Sequence, residues 1–366
     1  MKRIIITLFA LLLLAPLEAK DLKVALSKSN STEITFLENY AIVINKEYYY
    51  GPISKDFHLK ITIVEGKFNI ALIEGDENGK AQYTPINIAK TPGKIDIIRG
   101  FDNDISFEET IDPQRAIRQP IFAEEINLSK EAQKTTPFFK FKPRNSSGEI
   151  EFTGPLSLTI RKTQDSFNLI ETIPLEDYLV HVTNCEMRQA NNSEAYKAQT
   201  ILERTFVYNK LNERLDENNK NRSNWLDFQL FADTRDQAYI CDFRVNNKTL
   251  PDQKVKDAVK ATESLVLGDI NKRLIEVHYC ASCGKCSYCQ ANGVCHTNNG
   301  LGDCQKGIAY YSKQPGYDYV KVLKKYHPSA IIFSYSNGYL ASGDVHAQED
   351  IEKSLSEMED KLKQMI

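Results

Sequence analysis

Leu175, Leu179 and Val182 repeat at i, i+4 and i+7, and the next step of that apolar stripe is Glu186, a carboxylate where a core residue belongs. A Glu at the end of such a stripe either turns out to solvent in the last helical turn or is held half-buried in a cleft. In the second case burial favours the neutral form, and a carboxylic acid still protonated near neutral pH can donate to a leaving group. A second cluster with chemical potential is the cysteine run: six of the eight cysteines fall between Cys280 and Cys304. Cys280, Cys283, Cys286 and Cys289 are each separated by two residues, with His278, Cys295, His296 and Cys304 nearby.

Three arrangements compete for those cysteines. Four thiolates, with His278 or His296 as substitutes, suit zinc. Two disulfides among the same residues are the alternative in a chain that reaches oxidising conditions. A [4Fe–4S] cluster uses similar spacing, but its run ends with three residues before a final Cys-Pro, whereas here Cys289 follows Cys286 after two residues and precedes Gln290.

The Glu186 carboxyl must be positioned by two helices, expected over residues 174–187 and about 194–211 and joined by the polar residues 189–193. Thr172 can cap the first, Pro174 fits its first turn, and Glu176 and Asp177 oppose the positive end of its dipole. The second places Ala195, Ala198, Leu202 and Thr205 on one face, with Lys197, Glu203 and Arg204 elsewhere on the cylinder.

This stretch resembles the stage II sporulation protein D family, also called the amidase-enhancer domain. The shared residues are Leu175, Glu176, Asp177, Tyr178, Leu179, Val182, Glu186 and Met187, then Glu194, Ala195, Lys197, Ala198, Gln199, Arg204 and Thr205. Later segments continue the likeness: Asp233, Gln237 and Tyr239; residues 256–262; Tyr279, Ser282, Cys283 and Gly284; then Gly300, Gly302, Cys304, Gln305, Gly307, Leu323, Tyr326 and Pro328. His181, Arg188, Asn299 and Asp303 depart from the family pattern, and the segment after Cys289 is short by comparison.

The resemblance implies lytic cleavage of peptidoglycan glycan strands with Glu186 as acid and base. It implies Lys197, Gln199, Arg204, Gln237, Tyr239 and Gln305 as substrate contacts and, as in some relatives, a metal beside the carboxylate; zinc on Cys280, Cys283, Cys286 and Cys289 is expected here, with disulfides among the same cysteines as the alternative. A wall amidase is an expected partner. A module that binds strands or enhances an amidase without cleaving is the alternative.

A length of 366 residues, 42% of them hydrophobic and 26% charged, accommodates two domains with sizeable cores. A net charge of −3 gives no nucleic-acid footprint, so no nucleic-acid partner is expected. Residues 1–19 read as a signal peptide: Lys2 and Arg3, an apolar run from Ile4 to Pro16, and Ala19 at the cleavage point. The expected location is therefore the periplasm or cell envelope.

The fold class expected is α+β. A β-rich accessory domain spans 20–136, where Phe57, Leu59, Ile61 and Ile63 alternate with polar residues, turn at Glu65 and resume with Phe68, Ile70 and Leu72 as a hairpin. A mixed α+β domain with a helical core follows over 137–330, entered through strands near 149–152, 156–160 and 167–170. The tail, 331–366, ends in an amphipathic helix with Ile351, Leu355, Met358, Leu362 and Met365 on one stripe.

Overall fold

A computed structural model describes residues 21–37, 40–44, 48–53, 55, 57–65, 67–75, 81–86, 94–99, 137–142, 148–153, 157–187, 190–215, 228–241, 252–281, 303–336 and 339–340. The architecture is α+β, as the sequence indicates. Two compact units divide it, Asp21–Ser193 with Lys210–Asp257, and Glu194–Asn209 with the described part of Ala258–Ile366. The expected leader and the stripe of Ile351 to Met365 lie outside the described residues.

The first unit holds β1 (Asp21–Ser29), β2 (Ser31–Phe36), β3 (Tyr40–Ile44), β4 (Tyr48–Ile53), β5 (Phe57–Val64), β6 (Lys67–Gly75), β7 (Ala81–Ile86), β8 (Lys94–Arg99), β9 (Pro137–Phe141), β10 (Ile150–Thr153), β11 (Ser157–Lys162), β12 (Phe167–Pro174) and β13 (Leu230–Phe231). One sheet runs β13-β1-β12-β11-β8-β3-β4, the other β10-β9-β2-β5-β6-β7. Alternation sets which residues go inside: Leu59, Ile61, Phe68, Ile70 and Leu72 are buried. The β5–β6 hairpin pairs Phe57 with Glu74 through to Val64 with Lys67, and Glu65 takes φ 51°, the left-handed backbone a tight turn uses. The sheets meet through Phe36 stacked on Tyr40 at 3.9 Å and Phe68 against Phe167 at 6.1 Å. Burial in this aromatic layer pushes the Tyr40 hydroxyl well above its usual pKa.

The boundary expected at residue 136 does not divide these strands. β1 pairs along its whole length with β12, β8 pairs with β11, and β2 pairs with both β5 and β9. Each sheet therefore mixes strands from before and after that point. The physical reason is that an antiparallel sheet with an apolar face needs cover, and each group of strands supplies it for the other. A polar, Pro-punctuated stretch marks a connection; it does not mark which edges pair.

β12 runs directly into α1 (Leu175–Glu186), the helix that ends on the candidate carboxylate. Thr172, expected as the cap, is a strand residue opposite Lys23 and Ser157; Pro174 takes the N-cap position with φ −58° and ψ 142° and no side-chain cap. A proline suits that junction because it needs no N–H and favours extended backbone. The helices α2 (Ser193–Leu215) and α3 (Gln253–Ala261) follow.

The second unit contains the 194–209 part of α2, with β14 (Leu265–Gly268), β15 (Tyr279–Cys280), β16 (Asp303–Cys304), α4 (Gln305–Tyr311), α5 (Tyr319–Tyr326), β17 (Ile331–Ser336) and β18 (Tyr339–Leu340). β17 is the central strand of a sheet ordered β14-β17-β18. The tail expected from residue 331 thus begins with a core strand, Ile332 and Phe333 being buried. A six-residue run just after Pro328 in which four residues are β-branched or aromatic is better read as a strand than as a linker.

Candidate active site

α1 is buried more broadly than its stripe indicates, since Tyr178, His181 and Thr183 are inside together with Leu175, Leu179 and Val182. Glu186 is its last residue and is half-buried. One face of the helix docks on the segment 237–241 through four residues. Tyr178 donates its hydroxyl to Gln237 Oε1 at 3.0 Å and stacks on Tyr239, with ring centroids 5.0 Å apart. His181 meets the Tyr239 ring edge-on at 5.6 Å. Cys185 forms a disulfide with Cys241, and Glu186 Oε1 accepts the Ala238 N–H at 2.8 Å. Positions 178, 181, 185 and 186 are i, i+3, i+7 and i+8, one helical face.

The segment is in turn held by the sheet. β13 pairs in parallel with β1, Val24 with Leu230 and Ala25 with Phe231, and Ala232 donates its N–H to Ala25 at 3.0 Å. The Ala232 carbonyl receives Tyr239 and Ile240 N–H at 3.2 and 2.9 Å, and Asp236 Oδ2 receives Phe231 N–H at 2.7 Å. Phe152 of β10 lies 4.8 Å from Phe139 and 6.3 Å from Tyr239, so aromatic packing continues from the sheets to the segment beside Glu186. At the surface Arg235 stacks 3.6 Å over Phe231 and donates two hydrogen bonds to Asp233, which hold the Asp233 carboxyl below the usual carboxylate range.

Gln237 and Tyr239 are therefore brought to Glu186, both buried and facing α1. Lys197, Gln199, Arg204 and Gln305 belong to the second unit. There Arg204 is fully buried and donates from Nη1 to the Leu265 carbonyl at 3.0 Å. Its neighbour Thr205 receives Leu267 N–H at 3.0 Å and donates to the Ile201 carbonyl, so the Arg-Thr pair docks β14 on α2. Gln199 Nε2 donates to Glu203 Oε1 at 3.0 Å, both side chains buried. Lys197 pairs with Glu194 at 2.8 Å, while the other Glu194 oxygen receives Tyr319 N–H at the start of α5. Gln305 is buried at the first position of α4. All six side chains expected to contact substrate thus have interior or intramolecular partners or placements.

Of the expected zinc ligands, Cys283, Cys286 and Cys289 lie outside the described residues. Cys280 ends β15, and its register partner in β16 is Cys304, which the ligand set omits. Among the described residues no three His, Cys, Asp or Glu side chains converge as a metal site. The same region holds a pair not foreseen in the sequence: His327 Nε2 lies 2.7 Å from Asp303 Oδ2, joining one of the departures from the family pattern to the end of α5. The Cys185–Cys241 disulfide was also unforeseen. Its signal was available: once six cysteines are set aside as a cluster, these are the two that remain.

The site is thus a half-buried carboxyl at a helix end that accepts a backbone amide of a cross-linked segment, on an α+β scaffold. Residues 163–268 match the family model described as "Stage II sporulation protein". That stretch, which contains Glu186, Arg204, Gln237 and Tyr239 and ends before the cysteine run, is where the chain is similar to the stage II sporulation protein D family. Stage II sporulation protein D of Bacillus subtilis (strain 168) is 27% identical over 155 residues, 42% of this chain and 44% of that protein. The chain thus spans less than half the length of this curated relative. No solved structure matches. Among the described residues no helix is long and apolar enough to cross a membrane.

Proposed function

We propose that this chain acts on the cell wall as a lytic transglycosylase, cleaving peptidoglycan glycan strands with Glu186. The observation that carries the reading is the Ala238 N–H to Glu186 Oε1 hydrogen bond in a segment that the family match covers. An oxygen that accepts a backbone N–H leaves the transferable proton on Oε2, aimed by the geometry of the first. Glu186 gives that proton to the glycosidic oxygen, and the bond from the anomeric carbon to that oxygen breaks. The sugar's own 6-hydroxyl then attacks the oxocarbenium-like carbon and returns its proton to Glu186, leaving a 1,6-anhydro end and a regenerated acid. One carboxyl serves both steps. Hydrolysis by the usual route needs two carboxylates across the scissile bond, and no second carboxylate stands out in the motif beside Glu186.

In this reading Tyr178, Gln237 and Tyr239 position the Ala238 amide and do not themselves touch the strand. Arg204 and Thr205 hold β14 on α2, and Gln199 bonds Glu203 within α2. The cysteine run is proposed to bind zinc through thiolates, to which soft ligands are suited; metal analysis combined with thiol titration tests it, and a metal-free protein without titratable thiols favours disulfides. Export to the envelope is proposed as well, supported by the Cys185–Cys241 disulfide, which persists in oxidising compartments.

The test uses glycan strands stripped of stem peptides, treated with wild type and with Glu186→Gln. Mass analysis is expected to find anhydro-sugar ends only with wild type. Equal release by both proteins removes Glu186 from the mechanism, and binding without release by either makes the chain a strand-binding module.

A further inference from the structure

Cys185 is the residue before Glu186, and Cys241 lies three positions after Ala238. The disulfide and the hydrogen bond therefore join the same two pieces of chain, the end of α1 and the segment 237–241. α1 needs such help. Its last turn carries no basic residue, and its C-cap is Met187 with φ −116° and ψ 20°. A carboxylate in that turn also meets the negative end of the helix dipole. Left to its own backbone, the residue that bears the chemistry stands at the end most prone to fray.

We propose that the Cys185–Cys241 disulfide is the positioning element of the Glu186 site, so that the carboxyl is set against the Ala238 amide only where this disulfide has formed. The inference rests on the reading of Glu186 as the site carboxyl. Forming the bond removes two protons and two electrons from the paired thiols, and these pass to a protein disulfide oxidant, which is itself reduced to a dithiol. Both sulfur-bearing residues are only half-buried, so exchange partners reach them. A glycan-cleaving chain built this way is unassembled in a reducing compartment and becomes competent on reaching an oxidising one. Cys185 and Cys241 are positioning residues: neither sulfur takes part in glycan cleavage.

The experiment uses the full chain as wild type, as Cys185→Ala/Cys241→Ala, and as wild type reduced by a small dithiol and then reoxidised. Amide exchange of the peptide spanning 233–241 is expected to rise about ten-fold or more in the variant and the reduced protein, with the middle of α1 changed by less than about two-fold. On stripped strands kcat is expected to fall about ten-fold or more with little change in KM, and reoxidation restores it. The dithiol must add nothing to the double variant, which separates this disulfide from the cysteines at 280–304. Unchanged exchange at 233–241 in both the variant and the reduced wild type overturns the proposal. A variant that does not fold leaves the reduced wild type to decide. If wild type cleaves no strands, the reading of Glu186 fails, while the exchange comparison still tests the positioning role.

Discussion

α1 and α2 carry the two halves of one sequence motif, and they treat their charged residues in opposite ways. On α1, Glu186 ends the helix half-buried, held by one backbone amide of a separate segment. On α2, Arg204 lies mid-helix with no exposure, and its guanidinium supports the backbone of β14. A buried charge with a fixed backbone partner is costly to remove and unable to meet a large polymer. A carboxyl at a helix end, aimed by an amide, is cheap to alter structurally and available for chemistry. Shared membership of a motif thus does not imply a shared role: on the proposed reading one half of this motif builds the site, the other the scaffold.

The largest stability effect expected is on the α1 side. The disulfide links residues 56 apart in sequence, and chain-entropy reasoning gives about 4 kcal/mol for a loop of that length. Denaturant unfolding of Cys185→Ala/Cys241→Ala is expected to show a loss of that order, and no shift would mean that hydrogen bonds and packing hold the segment 237–241 without the disulfide. Arg204→Ala follows, with a loss of about 3 kcal/mol from the charged hydrogen bond and the emptied space. It sharpens the comparison because strand binding per folded molecule is expected to be unchanged.

A smaller effect is expected at Tyr178→Phe, which removes the hydroxyl donated to Gln237 while keeping the ring on Tyr239. The loss is about 1 kcal/mol in denaturant titration. The smallest is Asp233→Asn. Asp233 has its folded pKa lowered by the Arg235 hydrogen bonds, so it contributes stability above the unfolded value of 3.8, and that stability is lost as pH falls through the folded pKa. The pair is exposed, so the substitution costs less than about 0.5 kcal/mol at neutral pH and flattens the acid side of the stability profile slightly.

Much of this was legible in the residues. The alternation of Phe57 to Leu72 encodes the β5–β6 hairpin, and the stripe of Leu175, Leu179 and Val182 leads to Glu186, because side-chain periodicity is a local property of the chain. What the residues did not reveal is non-local. β1 pairing with β12, which erases a boundary at 136, depends on edges meeting across well over a hundred residues. The Cys185–Cys241 bridge and the buried state of Arg204 are non-local in the same way: a lone Arg among helix charges reads as solvated until β14 is placed against it.

The direct test of the account sets Glu186→Gln beside Arg204→Ala, with turnover on stripped glycan strands and thermal unfolding measured on the same preparations. A crossed result is expected. Glu186→Gln keeps the unfolding temperature of wild type and loses about a hundred-fold or more of its turnover, whereas Arg204→Ala unfolds at lower temperature and retains turnover per folded molecule. Wild-type turnover in Glu186→Gln, or parallel loss of both properties in the two variants, would contradict the division between site and scaffold drawn here.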